Sequence, residues 1–94
     1  ASYVTAKAAM EGLMRSAATE LGPSGITANM ISPSLTITDL TDEVPQRVKE
    51  VEARKSPARR LANPQDAATA AAFLLSDVAG YVNGVNLPLT GGPV

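Results

Sequence analysis

Apolar side chains recur at spacings of three and four near the start of the chain: Met10, Leu13, Met14, Ala17 and Leu21. That period predicts an amphipathic helix over residues 3–21. Tyr3 and Lys7 continue the row Met10, Met14, Ala17 and are expected to face the core with it. Gly22-Pro23 ends the helix, because glycine suits the C-terminal cap and proline cannot continue the turn. The period then changes. "ITANMIS" (26–32), bounded by Gly25 and Pro33, predicts a strand. Residues 33–43 are polar and Thr-rich and predict a loop. Val44, Val48 and Val51 return to helical spacing, which predicts a helix over 45–55 with Pro45 in its first turn. A second loop, "SPARRLANPQD", leads to the clearest start signal. Asn63 is placed to cap, Pro64 to take the first helical position and Asp66 the third, where its charge suits the helix dipole. The Ala-rich helix runs over 64–76. Asn83-Gly84 predicts a turn before a strand over 85–90, and Pro88, which has no N–H, puts that strand at a sheet edge.

The order is helix, strand, helix, helix, strand. Two strands joined through helices suggest a parallel crossover, yet two strands alone make a poor sheet. The pattern reads as the second half of a larger α/β domain. Composition narrows the chemistry. The 94 residues have a formal net charge of -1, which lacks the basic excess of a nucleic-acid binder. No apolar run approaches a membrane span, so a cytoplasmic protein with neither nucleic-acid nor membrane partner is expected. There is no Cys and no His, so thiolate sites and the usual general base are excluded. Acid–base work falls to Tyr, Lys, Asp or Glu, and no metal site is expected.

Tyr3 and Lys7 therefore stand out. An ammonium beside a phenol favours the phenolate, which makes the tyrosine a useful general acid toward a carbonyl oxygen. Taken alone, the pair reads preferably as a packed tyrosine with a lysine whose stem lies along it. More residues match in order. "YVTAKAAMEGLMRSAATELGPSGITANMISPS" resembles the active-site segment of the short-chain dehydrogenases/reductases, with Glu20-Leu21-Gly22, Ile26, Asn29, Ile31 and Pro33 in place. "RLANPQDAATAAAFLLSDVAGYVNGVNLPLTGG" resembles the C-terminal segment of the same family, and the branch it is most similar to is the 3-oxoacyl-(acyl-carrier-protein) reductases.

The resemblance implies a Rossmann-type doubly wound parallel sheet, with residues 1–94 as the C-terminal part of one NAD(P)-binding domain. It implies Tyr3 as catalytic acid/base and Lys7 as its partner, which also holds the ribose hydroxyls. It implies cofactor contacts at Pro33, Ser34, Thr36 and Thr38, and a substrate-covering region over 33–56. The cofactor would be NAD or NADP, and the substrate a small carbonyl or alcohol. Ser34 departs from the family's usual glycine and Thr36 from a branched aliphatic. The glycine-rich pyrophosphate motif and the catalytic Ser and Asn have no counterpart here, and Asn29 reads as structural. A 94-residue chain alone is thus expected to be inactive, in need of a missing N-terminal half or a complementing chain, within a homodimer or homotetramer. The alternative is a non-catalytic half-domain serving as an oligomerisation scaffold. "RVKEVEARKSPARR" reads either as a docking patch for an acidic partner or, preferably, as a solvated helix with Glu50 and Glu52 as counter-charges.

Overall fold

The computed structural model describes residues 2–34, 36 and 42–92. Helix α1 spans Ser2–Leu21, strand β1 Met30–Pro33, helix α2 Gln46–Lys55, helix α3 Pro64–Leu74 and strand β2 Asn86–Leu89. Short 3-10 turns lie at Gly22–Ser24 and Asp77–Ala79. The two strands form a two-stranded sheet. The Gly84 N–H donates to Ala28 O (2.8 Å), Met30 to Val85 O (2.9 Å) and Ser34 to Leu89 O (3.1 Å). Residue numbers rise together on both strands, so the pair is parallel. The Val85 and Leu89 carbonyls point at β1, so by alternation the Pro88 nitrogen points away and no rung is lost.

Two compact units divide the chain: Ala1–Met30 with Ala72–Leu87, and Ile31–Ala71 with Pro88–Val94. In the first unit, α1 stops where the sequence gives out as a helix former. The Gly22–Ser24 turn carries Pro23, and Gly25 closes it at φ 79° with its N–H on Gly22 O. The residues most withdrawn from water are Met14 (8%), Ala18 (5%) and Ala79 (2%). Lys7, Glu11 and Ala17 are half-buried. The covered line on α1 is therefore Lys7, Glu11, Met14, Ala18, rotated by roughly 50° from the predicted row at 3.6 residues per turn. Tyr3 (74%), Met10 (61%) and Leu13 (71%) lie outside it, which corrects the expectation that Tyr3 faces a core.

Two asparagines hold this unit together. Asn83 Oδ1 accepts from the Ala28 N–H (2.9 Å), and its Nδ2 donates to Ala18 O (3.0 Å). Asn29 Oδ1 accepts from the Val85 N–H (3.0 Å), and its Nδ2 donates to Val82 O (3.1 Å). Each side chain thus serves the other segment's backbone with both ends of its amide. The Ala18 carbonyl lies in the last turn of α1, where no intrahelical N–H is left for it. This exchange also explains why the strand is Met30–Pro33 rather than 26–32: before Met30, side-chain amides take part of what a ladder would use.

In the second unit, α2 begins after Pro45, whose carbonyl accepts from Val48 (3.0 Å) and Lys49 (3.2 Å). Its half-buried positions are Glu52 and Ala53 together with Lys49, whereas the predicted apolar face shows Val48 at 40% and Val51 at 38% exposure. Helix α3 ends at Leu74, two residues short of the predicted Ser76. There the Ser76 hydroxyl and N–H both turn back onto Phe73 O (2.6 and 3.1 Å). Gly91, at φ +75°, lies against the turn after α2. A Cβ there would stand 2.3 Å from Ser56 Oγ and 2.8 Å from Ala58 Cβ, while the Ser56 hydroxyl donates to Thr90 O (2.9 Å).

Replacing Asn29 or Asn83 by Ala strands a backbone N–H and a carbonyl, and each is expected to cost about 1–3 kcal/mol in urea unfolding. The double variant should lose less than the sum, because both side chains tie the same two segments. Gly91→Ala is expected to lower stability by about 1–3 kcal/mol through the forced left-handed φ and the overlap with Ser56, read as a drop in the urea midpoint at unchanged slope.

Candidate functional site

Tyr3 and Lys7 share α1, one helical turn apart, in the first unit. The Tyr3 ring is exposed and Lys7 is half-buried. Neither has a hydrogen-bond or ion-pair partner among the described residues. The phenol is thus open to solvent, and the ammonium's three donors have no partner among the described residues.

The remaining candidates belong to the second unit. Pro33 ends β1. Ser34, just beyond it, is committed inward: its N–H and its hydroxyl both lie 3.1 Å from Leu89 O. The Thr36 hydroxyl donates to Ser34 O (2.9 Å). Both hydroxyls therefore offer lone pairs, and their protons are already placed. Thr38 lies outside the described residues. A cleft of about 260 Å³ opens beside Ser34, with Arg60, Ala62, Asp66 and Thr90 in its wall.

Arg60 was not legible as anything but part of a basic stretch. Its guanidinium forks onto the Asp66 carboxylate, Nη1 to Oδ2 at 2.8 Å and Nη2 to Oδ1 at 3.0 Å. Asp66 Oδ2 also accepts from the Asn63 N–H (2.8 Å), and Asn63 Oδ1 accepts from the Asp66 N–H (3.1 Å). This is a reciprocal cap of the α3 N-terminus. The signal available in the sequence is an arginine six residues before the third position of a capped helix, which a tight turn brings within reach. The rest of the basic stretch is partly committed too. Lys55 pairs with Glu52 (3.2 Å), and Arg59 donates to the Arg54 carbonyl.

The Arg60 fork, followed by the Asn63 N–H, holds the Asp66 carboxyl down from 3.8 to about 2. The folded state therefore favours the ionised carboxylate. Its contribution is fully present above about pH 3.8 and is lost as pH falls through about 2.

Residues 1–93 match the family described as enoyl-(acyl carrier protein) reductase. The chain is 38% identical over 91 residues to a (3R)-3-hydroxyacyl-CoA dehydrogenase of Homo sapiens, covering 97% of this chain and 35% of that protein. It is 38% identical over 91 residues to the 3-oxoacyl-(acyl-carrier-protein) reductase FabG of Pseudomonas aeruginosa (97% and 37%). Against FabG of Staphylococcus aureus the identity is 39% over 92 residues (98% and 37%). A solved structure from Agrobacterium tumefaciens with a provisional gluconate dehydrogenase assignment superposes with a TM-score of 0.87 at 32% identity. It covers 96% of this chain and 36% of that one. The chain thus spans about a third of the length of the curated relatives it matches. Among the described residues no helix is long and apolar enough to cross a membrane, and no cluster of ligating side chains for a metal is found.

Melting temperature is expected to fall more steeply between pH 4 and pH 2 in the parent than in Asp66→Asn, which has no carboxylate to protonate. Parallel curves in scanning calorimetry would mean that the fork does not carry this acid sensitivity.

Proposed function

Because the chain belongs to the short-chain dehydrogenase/reductase family, in its 3-oxoacyl-(acyl-carrier-protein) reductase-like part, we propose that it carries the proton-transfer half of an NAD(P)-dependent carbonyl/alcohol oxidoreductase. The observation that carries this reading is the pair on α1: an exposed phenol one turn from a half-buried ammonium with no partner among the described residues. The α/β arrangement with parallel strands agrees with it.

Each unit by itself offers groups suited to such a cofactor. In the first unit Lys7 offers N–H donors suited to ribose hydroxyls; in the second, Pro33, Ser34 and Thr36 are the candidates for the nicotinamide end, and Thr38 joins them by family resemblance alone. Ser34 and Thr36 act there through lone pairs and backbone, since their hydroxyl protons are taken. When bound, the cofactor supplies or accepts the hydride at the carbonyl carbon. In the reducing direction the Tyr3 O–H gives its proton to the carbonyl oxygen. In the oxidising direction the Tyr3 oxygen takes the proton back from the alcohol. Lys7, one turn along α1, is the cation of the pair. The substrate is a small carbonyl or alcohol, and the assembly a homodimer or homotetramer.

Tyr3→Phe keeps the ring and removes the proton. It is expected to lower turnover in the full polypeptide by roughly 10²–10⁴-fold, followed by nicotinamide absorbance, with the oligomeric state unchanged. Full activity in that variant would overturn the assignment and favour a scaffold role.

A further inference from the structure

Thr36 is tied by an isolated parallel bridge to Ala62, and Ala62 sits inside a densely bonded stretch of the second unit. Arg60 Nη1 donates to Leu61 O (3.1 Å) as well as to Asp66. Asn63 and Asp66 bond reciprocally. The residues on both sides of Ala62 are thereby fixed, and one guanidinium joins the preceding segment to the helix start.

We propose that Arg60 is a positioning residue for Thr36: by forking onto Asp66 it fixes residues 61–63 and, through the Thr36–Ala62 bridge, the backbone that meets the nicotinamide end of the cofactor. The inference rests on the oxidoreductase reading above. Stability accounts for only part of the fork, because solvent screens it. The Arg60 and Asp66 side chains are 55% and 29% exposed, and ion pairs in such surroundings contribute little. Their geometry constrains a great deal, because a bidentate fork fixes a plane where a lysine ammonium would fix only a point. Arg60, Ala62 and Asp66 all line the cleft beside Ser34, so the fork and the bridged backbone border the same space. Among the described residues the Thr36 side chain adds one local bond, to Ser34 O.

The test uses the full polypeptide with Arg60→Gln, which keeps length and loses charge, and Arg60→Lys, which keeps charge and loses the fork. Hydrogen exchange is first measured without nucleotide on peptides carrying Thr36 and Ala62. Steady-state kinetics with NADH and NADPH follow. In Arg60→Gln both peptides should exchange faster. KM for the nucleotide should rise roughly ten- to a hundredfold, with kcat within about twofold, the mark of lost uniform binding. Arg60→Lys should recover part of the KM. Faster exchange around Ala62 alone, with Thr36 and KM unchanged, would overturn the inference. If Arg60→Gln does not fold, Arg60→Lys decides: parent-like exchange and KM would equally overturn it. A parent protein that binds neither nucleotide would instead overturn the oxidoreductase reading, and the inference with it.

Discussion

The first unit depends on a crossed pair of side-chain amides. Asn29 and Asn83 each spend an acceptor and a donor on the opposite segment's backbone. With only Met14, Ala18 and Ala79 well buried among the described residues, apolar burial is too thin to fix how the end of α1 meets the approach to the two strands. Hydrogen bonds do that instead, and their directionality sets the register at which Met30 meets Val85. Asparagine suits the task because one planar group carries both polarities.

The second unit uses the same logic with charge. The fork from Arg60 turns an ordinary capped helix start into a fixed point, and the Gly91 approach to Ser56 and Ala58 supplies another. Neither device depends on a large core. Both depend on a backbone that comes close enough for short polar reach. Lys7, without a partner among the described residues, and the open Tyr3 stand against this background as polar groups that the described structure does not consume.

Local chemistry was legible in the sequence. Gly22-Pro23 ends α1, and Asn63, Pro64 and Asp66 start α3, because a cap is decided within a few neighbouring residues. What was not legible depends on distant partners. The apolar count puts Tyr3 and Met10 on the inner row of α1, but the face that is covered is chosen by residues far along the chain. Asn29 reads as structural from its place, whereas its actual bonds cross 53 and 56 residues of sequence. Asn83 reads as half of a turn, and its second role toward Ala18 crosses 65. The Tyr3–Lys7 spacing was plain, while the commitment of Ser34 and Thr36 hydroxyls to backbone carbonyls follows only from three-dimensional placement.

Pro88 has a consequence for how the molecule meets its own kind. An exposed strand edge invites another chain to add a rung, and aggregation often begins that way. A strand approaching β2 from the side away from β1 would find no donor at Pro88, so a continuous ladder there is broken in its middle. The residue that leaves the pairing with β1 intact makes the opposite flank a poor template, and self-association through that flank is discouraged without any added charge.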